Sequence, residues 1–385
     1  MLDFIVLFLT VGIPLSSALL LASLGETVNQ RSGVFNLGCE GVMSMGAFVG
    51  MLIPFMVGGS GTVAWYVNVA GLVAAAVVGA LFGLLFGIVV IKFGAPQGIA
   101  GIGLQLFGTG LAGSLYRHFI GGAQGVAGID SIRIPVLSDL PVVGKMLFSC
   151  NPMVYFAFLM VPVVHYILFK TPWGLKVRAC GTFPRAADSM GINVSKTRYQ
   201  ALAFGSAMAA LAGAYLSLCY AKIFTDTLIG GRGFIAVALV YFGRWSPLGV
   251  LGGALLFSLA QALQLAVQAY GFSAFPYEFL VMLPYVLVVV VLVFVGKSKH
   301  VGPAMLGKPF NRDGKGGRPF NGGKPEKRGF VKREFIKPLE AEIRVLPGQK
   351  ELGGIIRKIQ TGFAAYPLKQ IAWFFLDHPE ACHVK

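Results

Sequence analysis

Histidine, cysteine and carboxylate side chains are where chemistry would show first, and in this sequence they form no catalytic set. The five histidines, His118, His165, His300, His378 and His383, have no H-x-x-x-H spacing, and the five cysteines, Cys39, Cys150, Cys180, Cys219 and Cys382, contain no C-x-x-C pair. No zinc site, other metal site or disulfide framework follows from them. Gly296-Lys297-Ser298 ends like a phosphate-binding loop, but Val291 stands where G-x-x-x-x-G-K-[ST] requires its first glycine. Gly108–Gly113 matches G-x-G-x-x-G in letters only, because it lies in an apolar run with no strand before it. Helix packing is the better reading of those glycines. No paired Asp, Ser–His or H-E-x-x-H arrangement is present either, so no enzyme and no cofactor is expected. What remains is Glu40, a carboxylate well inside the apolar run 36–56. An ionisable group at membrane depth is costly and marks function or a specific anchor. The anchor reading places it near the cytoplasmic end of its helix, bonded to backbone amides of an unwound stretch at 29–34. Glutamine would then replace it, because an amide oxygen still accepts hydrogen bonds.

The elements that would hold such a residue are membrane spans. Of 385 residues, 56% are hydrophobic and 12% charged, about half the charge of an ordinary soluble domain. Windows 41–91, 93–116, 199–221 and 245–277 contain no Asp, Glu, Lys or Arg, and each can hold at least one helix of roughly 20 residues. Spans are expected near 4–25, 36–56, 65–91, 98–116, 153–169, 200–220, 232–243, 247–270 and 277–296. That makes an all-α integral membrane protein of about nine transmembrane or half-membrane helices. The Met1–Phe4 start has no basic n-region, so the first span reads as retained rather than as a cleaved signal.

Charge orients these spans. Loop 170–198 carries Lys170, Lys176, Arg178, Arg185, Lys196 and Arg198 against Asp188 alone, which marks it as cytoplasmic. Counting outward puts Arg31, Lys92, Arg244 and the basic tail inside, with 57–64, 117–151 and 220–231 outside. The N-terminus is then outside and the C-terminus cytoplasmic. Residues 1–296 form the membrane domain. Residues 297–385 hold +10 of the total net charge of +16 and read as a basic, largely disordered cytoplasmic tail. Such a tail suits anionic lipid better than nucleic acid.

Two segments break the pattern. Residues 233–243 reach only about 16 Å as a helix, half the hydrocarbon thickness. Residues 94–103 are too rich in Gly and Pro to begin a regular helix. Interrupted backbone at membrane depth survives when buried in protein or lining a cavity, so these segments point either to a pathway or to no more than a helix kink or a misplaced boundary. Gly79, Gly83 and Gly87, and Gly249 and Gly253, repeat every four residues and permit close helix approach.

The stretch Thr27–Ala47, with Asn36, Gly38, Glu40 and Gly41, resembles the N-terminal signature of ABC importer permeases of the nucleoside and simple-sugar group. That group sits within the larger class that includes branched-chain amino-acid permeases. Gly174–Ile192 is similar to the cytoplasmic coupling loop of those proteins, with Ala186, Ala187 and Gly191 preserving its A-A-x-x-x-G core. Pro303–Phe310 looks like their usual close. The likeness covers residues 1–312, and Phe183, Arg185 and Cys39 depart from it.

The resemblance implies a type II importer permease, with the ATP hydrolysed on a separate cytoplasmic ATPase. It implies a second permease subunit and an extracytoplasmic substrate-binding protein, in a bacterial inner membrane. The coupling residues would be Arg178, Ala179, Gly181, Pro184, Ala186, Ala187 and Gly191. Ala187 and Gly191, four apart, would share one small face of a short helix. Asn36, Gly38, Glu40, Gly41, Gln97 and Gln105 would be pathway or structural residues. Nucleosides are the first expectation for substrate, then simple sugars, then branched-chain amino acids. An ion-coupled carrier using Glu40 is the rival reading, and neighbouring genes for an ATPase and a lipoprotein would separate the two.

Overall fold

The structure, a computed structural model, describes residues 2–122, 124–132, 150–269, 282, 286 and 302–310. These belong to one compact unit, Met1–Lys315. The expected span at 277–296, apart from two positions, and the tail beyond 310 lie outside the described residues, as does the second unit, Gly316–Lys385.

The described chain is helical. In order come α1 (Leu2–Arg31), α2 (Cys39–Gly58), α3 (Trp65–Gly87), α4 (Gln97–Phe119), α5 (Pro152–Lys170), α6 (Pro172–Thr182), α7 (Pro184–Ser189), α8 (Val194–Tyr215), α9 (Arg232–Phe242) and α10 (Pro247–Ala269). The helices α3 and α8 each run on into a π-helical turn, at Ile88–Lys92 and Leu216–Tyr220. No strand occurs among the described residues beyond the single bridge between Gly125 and Ile223. Several starts follow from the sequence locally. Asn151, Thr171 and Asn193 cap α5, α6 and α8 by accepting from Met153, Gly174 and Lys196 amides, and Pro opens α5, α6 and α7.

Among the described residues seven helices are long and apolar enough to cross a membrane, and Arg232–Phe242 is a shorter apolar one. The helix α8 packs on α1, α2 and α3, and α1 also meets α10, α9 and α5. Small residues make this possible. A Cβ at Gly79 or Gly83 would sit 2.5 Å from the carbonyl oxygen of Ser206 or Leu202 on α8, so the expected glycine ridge is a helix contact. Burial falls from 83% of the α1 span to 39% for α3 and 28% for α4. The outer faces of α3 and α4 therefore present Val73, Val77, Leu81 and Leu106, as lipid-facing helices do.

Two expected boundaries need correction. The first span does not stop at 25 but stays helical to Arg31, because Glu26, Asn29 and Gln30 satisfy one another on one helical face. The expectation that 94–103 could not begin a regular helix also fails in part. Gly94 makes the break, at φ +67°, and α4 is regular from Gln97. Two of its glycines meet backbone closely: a Cβ at Gly101 would lie 2.9 Å from Leu37 N, and one at Gly108 2.6 Å from the Gly41 carbonyl.

Candidate functional site

A polar belt crosses the apolar core, and it begins at the end of α1. Glu26 is buried. Its Oε2 accepts from Asn29 Nδ2 at 2.8 Å, and its Oε1 accepts from Gln30 Nε2 at 3.2 Å and from the Asn36 amide at 3.1 Å. Glu26 precedes Arg31 by about 7.5 Å of helix axis, so the bond from Asn36 brings the chain back alongside α1. Segment 32–38 thus runs back alongside the end of α1 before α2 begins. Asn36 Oδ1 then accepts from Gly38 N at 2.9 Å, just before α2. Gln97 Oε1 accepts from Phe35 N at 2.7 Å, while its buried Nε2 has no protein partner. Gly41 lies against the backbone of Gln105, whose side chain is half-buried.

Glu40 stands one turn further on. Its Oε1 accepts from Gly231 N and its Oε2 from Gly233 N, both at 2.7 Å. These are the first amides of α9, the half-length helix, so the carboxylate faces the positive end of its dipole. Gly231 takes φ +82°, which glycine alone adopts freely. Gly233 leaves room for the approach, since a Cβ there would be 2.5 Å from Glu40 Cα. The backbone amides that hold Glu40 are not those of the 29–34 stretch expected from the sequence. Residues 29–34 turn their amides to their own α1 carbonyls, as in Val34 N to Asn29 O at 3.2 Å, and none is left for Glu40.

The other end of α9 returns to α1. Arg31 Nε donates to the Trp245 carbonyl at 2.8 Å, and Trp245 Nε1 donates to Gln30 Oε1 at 2.9 Å. Asn36, Gly38, Glu40, Gly41 and Gln97 are therefore brought together, but as a bonded scaffold around the start of α2 and α9. Asp226, near the C-terminal end of α4, is exposed and pairs with Arg117 at 2.8 Å.

The expected coupling residues form a second cluster on α6 and α7. Arg178 lies 5.0 Å from the centroid of the Phe169 ring, with the Arg31 guanidinium 5.5 Å from the same ring. Ala179 is half-buried, and Gly181 packs on the chain after α1, where a Cβ would be 3.0 Å from Gly33 N. Pro184 is buried at the start of α7, and Ala187 packs with Cys180 and Val194. Burial raises the Cys180 thiol above its ordinary pKa, so it stays protonated. Ala186 is exposed, as are Phe183 at 68% and Met190 at 82%. The shared face expected for Ala187 and Gly191 does not exist. The helix ends at Ser189, and Gly191, at φ +81°, belongs to the closing turn in which Ile192 N bonds the Ala187 carbonyl at 3.0 Å.

Sequence reasoning missed Glu26, Arg198 and Trp245. Buried Arg198 donates to the carbonyls of Ser32 at 3.1 Å, Lys308 at 3.4 Å and Cys180 at 3.5 Å. It ties α8 to the end of α1, to α6 and to segment 302–310. The spacing of Glu26, Asn29 and Gln30 at i, i+3 and i+4 was a readable signal of one polar helical face. Nothing local announces Arg198, because all of its partners are distant in sequence. Among the described residues no cluster of His, Cys, Asp and Glu could hold a metal ion.

Known proteins place this arrangement. The chain is 35% identical over 308 residues to the guanosine ABC transporter permease protein NupQ of Bacillus subtilis, covering 77% of this chain and 93% of that one. It is 37% identical over 266 residues to the putative glucose ABC transporter permease protein TsgC13 of Haloferax volcanii, covering 68% and 78%. It is 32% identical over 292 residues to the nucleoside ABC transporter permease protein NupC of Lactococcus lactis, covering 74% and 90%. No solved structure matches the chain. Residues 8–295 match the family model described as branched-chain amino acid transport system / permease component, and the chain is a multi-pass membrane permease belonging to that family.

Proposed function

We propose that this permease forms the pathway of an ATP-driven importer for nucleosides, with simple sugars as the second class. The observation that carries the reading is the half-length helix α9, with its first amides on Glu40 and its far end on α1. A helix that stops inside the membrane leaves polar backbone at depth, which is sustained beside a pathway. The choice of nucleosides rests on the names of the relatives, two of which are nucleoside or guanosine permeases, and sugars on the third.

In this reading α6 and α7 face the cytoplasm and meet a separate ATPase subunit. Phe183, Arg185, Ala186 and Met190 supply the exposed contact, while Gly181, Pro184, Ala187 and Gly191 shape the turn that presents them. Arg178 and Ala179 back the turn against α5. A cavity of about 340 Å³ beside α7, between Asp188, Gly191, Asn193 and Phe310, gives the partner relief to fit. A second permease subunit would cover part of the lipid-exposed surface, and a binding protein would deliver substrate to the outer side. The N-terminus is outside, and the basic tail is cytoplasmic, in a bacterial inner membrane.

Uptake of tritiated guanosine and of labelled glucose by vesicles holding the chain, its ATPase and its binding protein tests the reading. Guanosine uptake that requires ATP and is outcompeted by other nucleosides is expected. ATP-independent uptake driven by a proton gradient would contradict it.

A further inference from the structure

Arg244 and Trp245 adopt φ +52° and +53° in succession, a left-handed conformation that non-glycine residues rarely take and that two neighbours almost never take together. Such backbone persists only where the surroundings fix it, and it gathers at working parts of proteins. The surroundings here are specific. Arg31 Nε holds the Trp245 carbonyl at 2.8 Å and Gln30 Oε1 holds the indole Nε1 at 2.9 Å. The Tyr241 ring meets the indole edge-on at 5.0 Å, one turn back in α9.

Gln30 and Arg31 are also where α6 rests on α1. Gly181 packs on Gly33, Arg198 bonds the Ser32 carbonyl at 3.1 Å, and Met305 N bonds the Gly181 carbonyl at 3.0 Å. The links from α6 to the end of α1 run through backbone and one buried guanidinium, with no long exposed side chain between them. From α1 the path continues through two bonds to the Trp245 turn, then along the single rigid helix α9 to Glu40.

We propose that Trp245 is a positioning residue of the transport cycle, joining the coupling helices to α9 through the end of α1. The proposal rests on the reading of α6 and α7 as the ATPase-facing element. A displacement of α6 moves the end of α1, and the Trp245 turn passes it to one end of α9 while Glu40 holds the other. The indole N–H and its Gln30 partner make that joint, and the strained turn keeps it from relaxing independently.

Trp245→Phe keeps a ring against Tyr241 and removes the indole N–H together with part of the ring surface that packs on Gly302. Gln30→Leu removes the acceptor, together with the Gln30 bond to Glu26, and leaves the indole donor unsatisfied; the double variant abolishes only that last cost. The test uses the full complex in vesicles and reads tritiated guanosine imported per ATP hydrolysed, with permease abundance and ATPase co-purification measured alongside. Trp245→Phe should lower guanosine imported per ATP by about fivefold, the size of one lost hydrogen bond, with hydrolysis and ATPase association retained. The double variant should be no worse than Gln30→Leu alone, since both substitutions delete the same bond. Import per ATP unchanged in Trp245→Phe, or import and hydrolysis falling in step with abundance, overturns the linkage while the importer reading stands. No ATP-dependent uptake by the wild-type complex overturns the importer reading, and the linkage with it.

Discussion

Glu26 and Glu40 are both buried carboxylates held by N–H donors, yet they are held in different ways. Glu26 takes two of its three donors from side chains of its own helix, Asn29 and Gln30. Glu40 takes its donors from the backbone of another helix, Gly231 and Gly233 foremost. A side-chain amide can turn over and offer oxygen instead of nitrogen, whereas a backbone amide in a helix start cannot. The first site is therefore adaptable and the second rigid. A substitution that is nearly isosteric at both should separate them.

The largest effect is expected at the rigid site. Glu40→Ala leaves two buried amides at the start of α9 without an acceptor, at about 1.5–3 kcal/mol for each bond to a charged group. Guanosine uptake normalised to membrane abundance should fall about 100-fold or more. Glu40→Gln comes next. The structure corrects the expectation that glutamine would substitute freely, because each carboxylate oxygen already serves one amide and the new NH2 must face a donor. Uptake should fall about tenfold, reflecting one unsatisfied buried donor. Retention of full uptake would show that α9 does not depend on this clamp.

Glu26→Gln should cost less, about twofold to threefold in uptake, below the usual worth of one hydrogen bond. Asn29 Oδ1 has no partner, so turning the Asn29 amide presents that oxygen to the new NH2. Equal losses at positions 26 and 40 would erase the distinction drawn between them. The smallest effect is expected from truncation after Arg312, which spares Met305 and Lys308 with their bonds to Gly181 and Arg198. The Gly- and Lys-rich composition beyond offers little to pack. Uptake and ATPase association should stay within about twofold, and truncation before Gly302 should lose both bonds and lower stability.

The contrast also explains what could be read in advance. The long spans were legible because each is an unbroken apolar run, and even the half-length α9 was legible from its length. Glu40 was visible because its neighbours are apolar. Glu26 was not, because it sits beside Thr27, Asn29, Gln30 and Arg31, where a polar cluster reads as the end of a span. The partners of Glu40, Arg198 and Trp245 lie 191, 166 and 215 residues away in sequence, and no local pattern encodes such pairings. In the expected coupling loop the small residues were legible in the sequence, but their arrangement was not. A helix that ends at Ser189, with Gly191 in a left-handed turn, puts Ala187 inside and Ala186 outside.

That last difference sets the most direct test of the central claim, that α6 and α7 receive the ATPase. Gly191 is a poor probe, since any side chain at φ +81° is strained whatever the partner does. Ala186 is exposed in regular helix, so Ala186→Trp adds bulk without disturbing the fold. Co-purification of the ATPase with this variant, compared with wild type at equal permease abundance, is the measurement. Loss of the ATPase with the permease still inserted is the predicted result. Undiminished co-purification would contradict the account.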